Sequence, residues 1–178
     1  MPTELRTCIV ETPIGGAVVA FSADGVAAMK FGDAHAVAER LAREHGAACE
    51  PDASLLPTAA AALDTYFDGA RRTIDLPIDW SLTSGFSREA LRAVCDIPYG
   101  ETASYGEVAA MTARPRAARA VGTACRTTPL ALIVPVHRVI RADGSLGEFG
   151  GNEHVKEYLV DFERGNVAQA IGIEEEAR

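Results

Sequence analysis

Ser104-Tyr105-Gly106-Glu107-Val108-Ala109-Ala110-Met111-Thr112-Ala113-Arg114-Pro115-Arg116-Ala117-Ala118-Arg119-Ala120-Val121-Gly122-Thr123-Ala124-Cys125-Arg126 carries its own punctuation. Ser104 and Glu107 stand at capping-box spacing, where serine oxygen and glutamate carboxylate each satisfy an orphan backbone N–H, so a helix is predicted over 104–112. Pro115 suits the first turn of a second helix, predicted over 116–126. The turn at Ala113 and Arg114 then joins two helices in the manner of a helix-turn-helix. Ala117, Ala118, Ala120, Gly122 and Ala124 leave the second helix little bulk. Two readings follow: the backbone approaches a bound partner closely, or the helix packs tightly in a core.

Charge is distributed unevenly around this stretch. No acidic residue occurs from Thr112 to Ala142, while Arg114, Arg116, Arg119, Arg126, Arg138 and Arg141 all fall there. One basic face is therefore expected on a chain whose formal net charge is -8. That acidity argues against a non-specific nucleic-acid coat, which relies on clustered cations.

Towards the N-terminus the residues alternate as short strands over 8–11, 17–21 and 26–31, with a turn at Ala23-Asp24-Gly25. Helices are predicted over 33–45, with Asp33 as N-cap and Gly46 as stop, and over 54–67. Residues 71–78 read as a further strand, and the Ser/Thr/Gly-rich 80–85 as a boundary. Beyond it lie helices over 87–96 and 153–163. The expected fold class is α/β (α+β). Residues 1–83 would form a small antiparallel sheet-and-helix domain, residues 84–167 a mainly helical winged-helix-like domain with the helix-turn-helix, and 168–178 a tail. Apolar residues make up 48% of the 178, which is enough to build such cores.

The apolar run 130–136 is interrupted by Pro135 and is too short to cross a bilayer, and no signal segment opens the chain. A cytoplasmic, membrane-free monomer is expected. Cys8, Cys49, Cys95 and Cys125 are scattered and form no Cys-x-x-Cys pair, so reduced thiols are expected. His35, His45, Cys8 and Cys49 match no compact zinc spacing, and neither metal nor cofactor is expected.

Ile133-Val134-Pro135-Val136-His137-Arg138-Val139-Ile140 is the most informative segment. Arg119-Ala120-Val121-Gly122 precedes it, and Gly150-Gly151 and Lys156-Glu157-Tyr158-Leu159 follow. Together these resemble the O6-alkylguanine-DNA alkyltransferase family, whose hallmark Pro-Cys-His-Arg stands here as Pro135-Val136-His137-Arg138. The resemblance is strong from about Phe86 to Gly165 and pattern-like before that, at Tyr66-Phe67 and Leu76-Pro77.

The resemblance implies a repair protein that binds duplex DNA in the minor groove, flips an alkylated guanine and moves the alkyl group onto its own cysteine. It places Arg116, Arg119 (filling the vacated stack), Ala118, Gly122, Arg126 and Arg138 at the DNA. Tyr105 would crowd the flipped nucleotide's phosphate and donate a proton to the leaving guanine. His137 would act through a water as base for the nucleophile, oriented by Glu163. Cys125, Thr128, Pro135, Phe149 and Gly150 would line the pocket, with Thr128 and Phe149 where the family usually has asparagine and often has tyrosine.

Val136 breaks this scheme, because valine has no lone pair with which to accept an alkyl group. His137 is then either a packed histidine or a remnant of acid–base chemistry, and Cys125 either a displaced acceptor or a small buried hydrophobe. The leading reading is an alkyltransferase-like protein that recognises O6-alkylguanine in double-stranded DNA without reacting and passes the site to nucleotide-excision-repair proteins. One alternative is a fold turned to small-molecule chemistry through His137, Glu163 and Tyr105. The other is a methylated-DNA-protein-cysteine methyltransferase engineered from Cys to Val.

Overall fold

The structure, a computed structural model, describes residues 3–149 and 152–170. It divides into two compact units at Ser84/Gly85, and Pro129–Ile133 belongs to the first of them.

In the first unit, strands β1 (Thr3–Thr12), β2 (Gly15–Phe21) and β3 (Val26–Phe31) form an antiparallel meander. Strand β4 (Ala47–Pro51), absent from the sequence reading, adds parallel to β1 and gives the order β3-β2-β1-β4. Four consecutive buried residues, Ala17 to Ala20, show that β2 is covered on both faces. Helix α1 (Ala34–His45) lays Val37 and Leu41 on Leu5, Val18 and Ala20. Its ends follow local rules: Asp33 accepts from the Ala36 N–H at 2.9 Å, and Gly46 takes the left-handed φ of 63° that stops the helix. Helix α2 (Leu56–Phe67) follows a 3-10 turn at Ala53–Leu55 and packs along β1.

The strand predicted over 71–78 does not form. Only Ile78 bridges, to Val26, where the Val26 N–H donates to Pro77 O at 2.8 Å. A Cβ on Gly25 would lie 2.4 Å from that same oxygen, so glycine is what lets the chain pass. Pro77 itself cannot extend a ladder as a donor. On the other side of β3, Met29 exchanges backbone hydrogen bonds with Pro129 O and the Ala131 N–H, which ties Pro129–Ile133 to this unit.

In the second unit, α3 (Gly85–Cys95), α4 (Tyr105–Met111) and α5 (Ala118–Thr127) pack on one another, with α6 (Glu153–Ala170) behind a 3-10 turn at Val136–Arg138. Short strands β5 (Ala103–Ser104) and β6 (Val139–Ile140) pair in parallel. The capping box on α4 forms: Ser104 N–H donates to Glu107 Oε2 at 2.7 Å and Glu107 N–H to Ser104 Oγ at 3.2 Å. Pro115 does not open the next helix; it lies in the turn, which Ala113 makes with φ 57°, and α5 starts at Ala118. Arg116 therefore precedes the helix it was assigned to. The last helix continues past 163, and past the tail boundary at 168, to Ala170. Gly150, Gly151 and the 174–176 acidic run lie outside the described residues. No helix among the described residues is long and apolar enough to cross a membrane.

Candidate functional site

Helix α5 divides its small residues between two faces. Val121 and Ala124 are buried, while Arg119, Ala120, Thr123, Arg126 and Thr127 are exposed. The two readings of its low bulk thus hold on opposite faces. Inward, Gly122 sits where a Cβ would be 3.8 Å from the Tyr105 ring; outward, Ala120 leaves backbone accessible beside two arginines. Arg116, Arg119 and Arg126 form no ion pair among the described residues. Arg114 lies over the Phe86 ring at 5.1 Å and pairs with Glu89 at 3.3 Å.

Arg138 behaves differently and corrects the expectation that it contacts DNA. It is 5% exposed, with Nε donating to Glu163 Oε2 at 2.9 Å, Nη2 to Glu163 Oε1 at 3.0 Å and Nη1 to Ile97 O at 2.7 Å. This two-pronged grip is the strongest geometry available between a guanidinium and a carboxylate. The Gly100 N–H adds a bond to Glu163 Oε2 at 3.1 Å, and His137 Nε2 reaches Oε1 at 2.8 Å. Gly100, at φ 79°, has no room for a side chain against α6: a Cβ would come 2.7 Å from Val167.

Protonation states follow from this packing. Burial pushes the Glu163 carboxyl up, but hydrogen bonds from His137 and Arg138, and their charges, outweigh it and hold it at about 2. An ionised carboxylate only accepts, so His137 Nε2 must carry a proton. Burial lowers the His137 pKa against the opposing pull of Glu163, which keeps the ring neutral. Nδ1 is therefore bare, and it is buried with no hydrogen-bond partner among the described residues. Beside it, Val136 is 4% exposed and offers no proton. Glu163, fixed as an acceptor, is unsuited to carry a proton at neutral pH.

Tyr105 is half-buried at the start of α4, and burial is the main cause of its raised pKa. Burial also pushes the Cys125 thiol up to about 12, so it stays protonated, and a protonated thiol is a poor nucleophile. Thr128 is buried at the end of α5, Pro135 is buried at the start of the 3-10 turn, and Phe149 is partly exposed. In the first unit, His35 pairs with Glu39 at 3.2 Å, and no three metal-ligating side chains gather among the described residues.

Sequence reasoning missed Lys156. It is 1% exposed, donates to Val139 O at 2.6 Å and lies 6.0 Å from the Tyr105 ring centroid. Burial lowers it to about 8, helped by the Arg141 charge. A signal existed: Lys156, Leu159, Val160 and Glu163 recur at i, i+3, i+4 and i+7, which places two charged residues on the apolar stripe of α6.

Comparison with known proteins now decides the relationship. Residues 85–165 match the family model for 6-O-methylguanine DNA methyltransferase, DNA binding domain, and residues 5–80 match its ribonuclease-like domain. A methylated-DNA--protein-cysteine methyltransferase of Methanosarcina barkeri is 35% identical over 159 residues, covering 89% of this chain and 97% of that protein. The chain belongs to the 6-O-methylguanine DNA methyltransferase family. Within that family, the Mycobacterium tuberculosis counterpart is 42% identical over 114 residues, covering 64% of this chain and 68% of that one. A crystal structure of the M. tuberculosis protein OGT in complex with DNA superposes with a TM-score of 0.75 at 32% identity, covering 92% of this chain and 94% of that one. The family's two domain models correspond to the sheet-and-helix unit and the helix-turn-helix unit described above.

Proposed function

We propose that this chain reads O6-alkylguanine-type lesions in duplex DNA, by minor-groove binding and base flipping, without taking the alkyl group. The observation that carries the reading is Val136: a buried aliphatic side chain stands in the Pro-Val-His-Arg segment, beside a fully assembled His137–Glu163–Arg138 cluster. The scaffold for presenting a nucleophile is intact, and the atom that would react is absent. Displacement at an alkyl carbon needs a soft electron pair, which valine lacks and the protonated Cys125 thiol withholds.

Exposed Arg119, Arg116 and Arg126 on and before α5 supply the cationic face, with Ala118, Ala120 and Gly122 allowing close approach. Arg119 is the side chain assigned to the vacated stack and Tyr105 the one assigned to the flipped nucleotide. Flipping costs a few kcal/mol, roughly, which pocket contacts must offset. The bound complex would then be handed to excision-repair proteins.

The test is binding to duplexes with and without O6-methylguanine across a salt series, followed by intact-mass analysis of the protein. Preference for the lesion with unchanged protein mass is expected. Equal affinity for both duplexes removes the lesion-reading function, and a mass gain of one methyl group removes the claim that no transfer occurs. Val136→Cys sharpens it: methyl transfer by the variant would show that the thiol alone was missing.

A further inference from the structure

The two buried charges on the inner stripe of α6 are supplied very differently. Glu163 is met by Arg138, His137 and the Gly100 N–H. Lys156, seven residues earlier and equally enclosed, makes one hydrogen bond, to Val139 O at 2.6 Å, and no ion pair among the described residues. An ammonium has three N–H donors. The Tyr105 ring face, 6.0 Å away, supplies a weak second contact. A buried cation without an anion is costly, and an apolar side chain of similar length would fill the same position more cheaply.

The surroundings are cationic as well. A Cβ on Gly147 would lie 3.2 Å from Tyr105 Oη and 3.7 Å from Arg141 Nε, so the tyrosine hydroxyl and the Arg141 guanidinium border the same glycine. Glu148 and Glu153 are the nearby acids; both are exposed, and neither pairs with Lys156. Tyr105 is half-buried, so one side of this cluster opens towards solvent.

We propose that Lys156 is a specificity residue for lesions whose O6-alkyl group ends in an anion, of the carboxymethyl class. The proposal rests on the lesion-reading function above and names its preferred substrate. A carboxylate supplies two acceptor oxygens to the unused ammonium donors, with Arg141 adding to the field. A methyl group supplies none. Recognition is non-covalent and no bond is made or broken.

The test compares three matched duplexes at one salt concentration: undamaged guanine, O6-carboxymethylguanine and its neutral isostere O6-(carbamoylmethyl)guanine. The acid and amide have nearly the same size, so their affinity ratio reads charge alone. The full chain should bind the acid about tenfold more tightly than the amide, the scale expected of a hydrogen bond to a charged partner. Lys156→Met should bring the ratio to about one with amide affinity kept within about twofold, and Lys156→Arg should retain a preference for the acid. Equal binding of acid and amide by the unaltered chain, both above undamaged DNA, overturns the role of Lys156 and leaves lesion reading intact. Binding of neither above undamaged DNA overturns both. The unaltered chain decides the matter even if Lys156→Met fails to fold.

Discussion

Arg119 and Arg138 come from the same acid-free stretch and end in opposite environments. Arg119 stands on the exposed face of α5 with no ion pair among the described residues, whereas Arg138 is 5% exposed and clamped on Glu163. The difference teaches that a run of like charge describes a segment and not a face. Each arginine's role is fixed by what the fold brings to it, and Glu163 arrives from 25 residues away. One region is free to meet a polyanion; the other is an internal brace that positions His137.

That contrast can be broken most forcefully at Glu163. Glu163→Gln keeps the shape but leaves the Arg138 guanidinium buried and uncompensated. A loss of about 3–5 kcal/mol is expected, read from urea or thermal unfolding. A loss under about 1 kcal/mol would show that the brace is not structural.

Acid titration probes the same cluster without mutation. Glu163 is held at about 2 in the folded chain, below its ordinary value of 4.5. A carboxylate depressed on folding gives stability that is complete above the unfolded pKa and is lost as pH falls through the folded one. The contribution, on the order of 2–3 kcal/mol, should fade between about pH 4.5 and pH 2. Glu163→Gln should flatten that part of the profile; an unchanged acid limb would place the pH sensitivity elsewhere.

Arg119→Ala is the counterpart on the exposed side. It should leave stability within about 0.5 kcal/mol, as surface changes away from packed features do. Duplex affinity should fall by about 1–2 kcal/mol with a shallower salt dependence. An unfolding shift as large as that of Glu163→Gln would erase the distinction drawn between the two arginines.

Much of the helix-turn-helix was legible because its signals are local. The Ser104–Glu107 box, the Asp33 cap and the Gly46 stop each satisfy backbone groups within four residues, so sequence alone locates them. Strand β4 and the missing strand at 71–78 were not legible. A strand exists only where a partner edge accepts it, and β1 accepts Ala47–Pro51, while only Ile78 of the other segment finds Val26. Lys156 was overlooked because charged residues are normally read as solvated, although its spacing with Leu159 and Glu163 placed it inward.

By itself the sequence determined the family's motifs, the helix boundaries set by caps and, above all, that residue 136 carries no sulfur. Those are facts of covalent chemistry and short-range hydrogen bonding. Tertiary structure alone decided that Arg138 is internal, that Pro129–Ile133 joins the first unit through Met29, and that Lys156 is enclosed without an anion. Burial and charge pairing are properties of groups distant along the chain, and only the folded backbone brings them within reach.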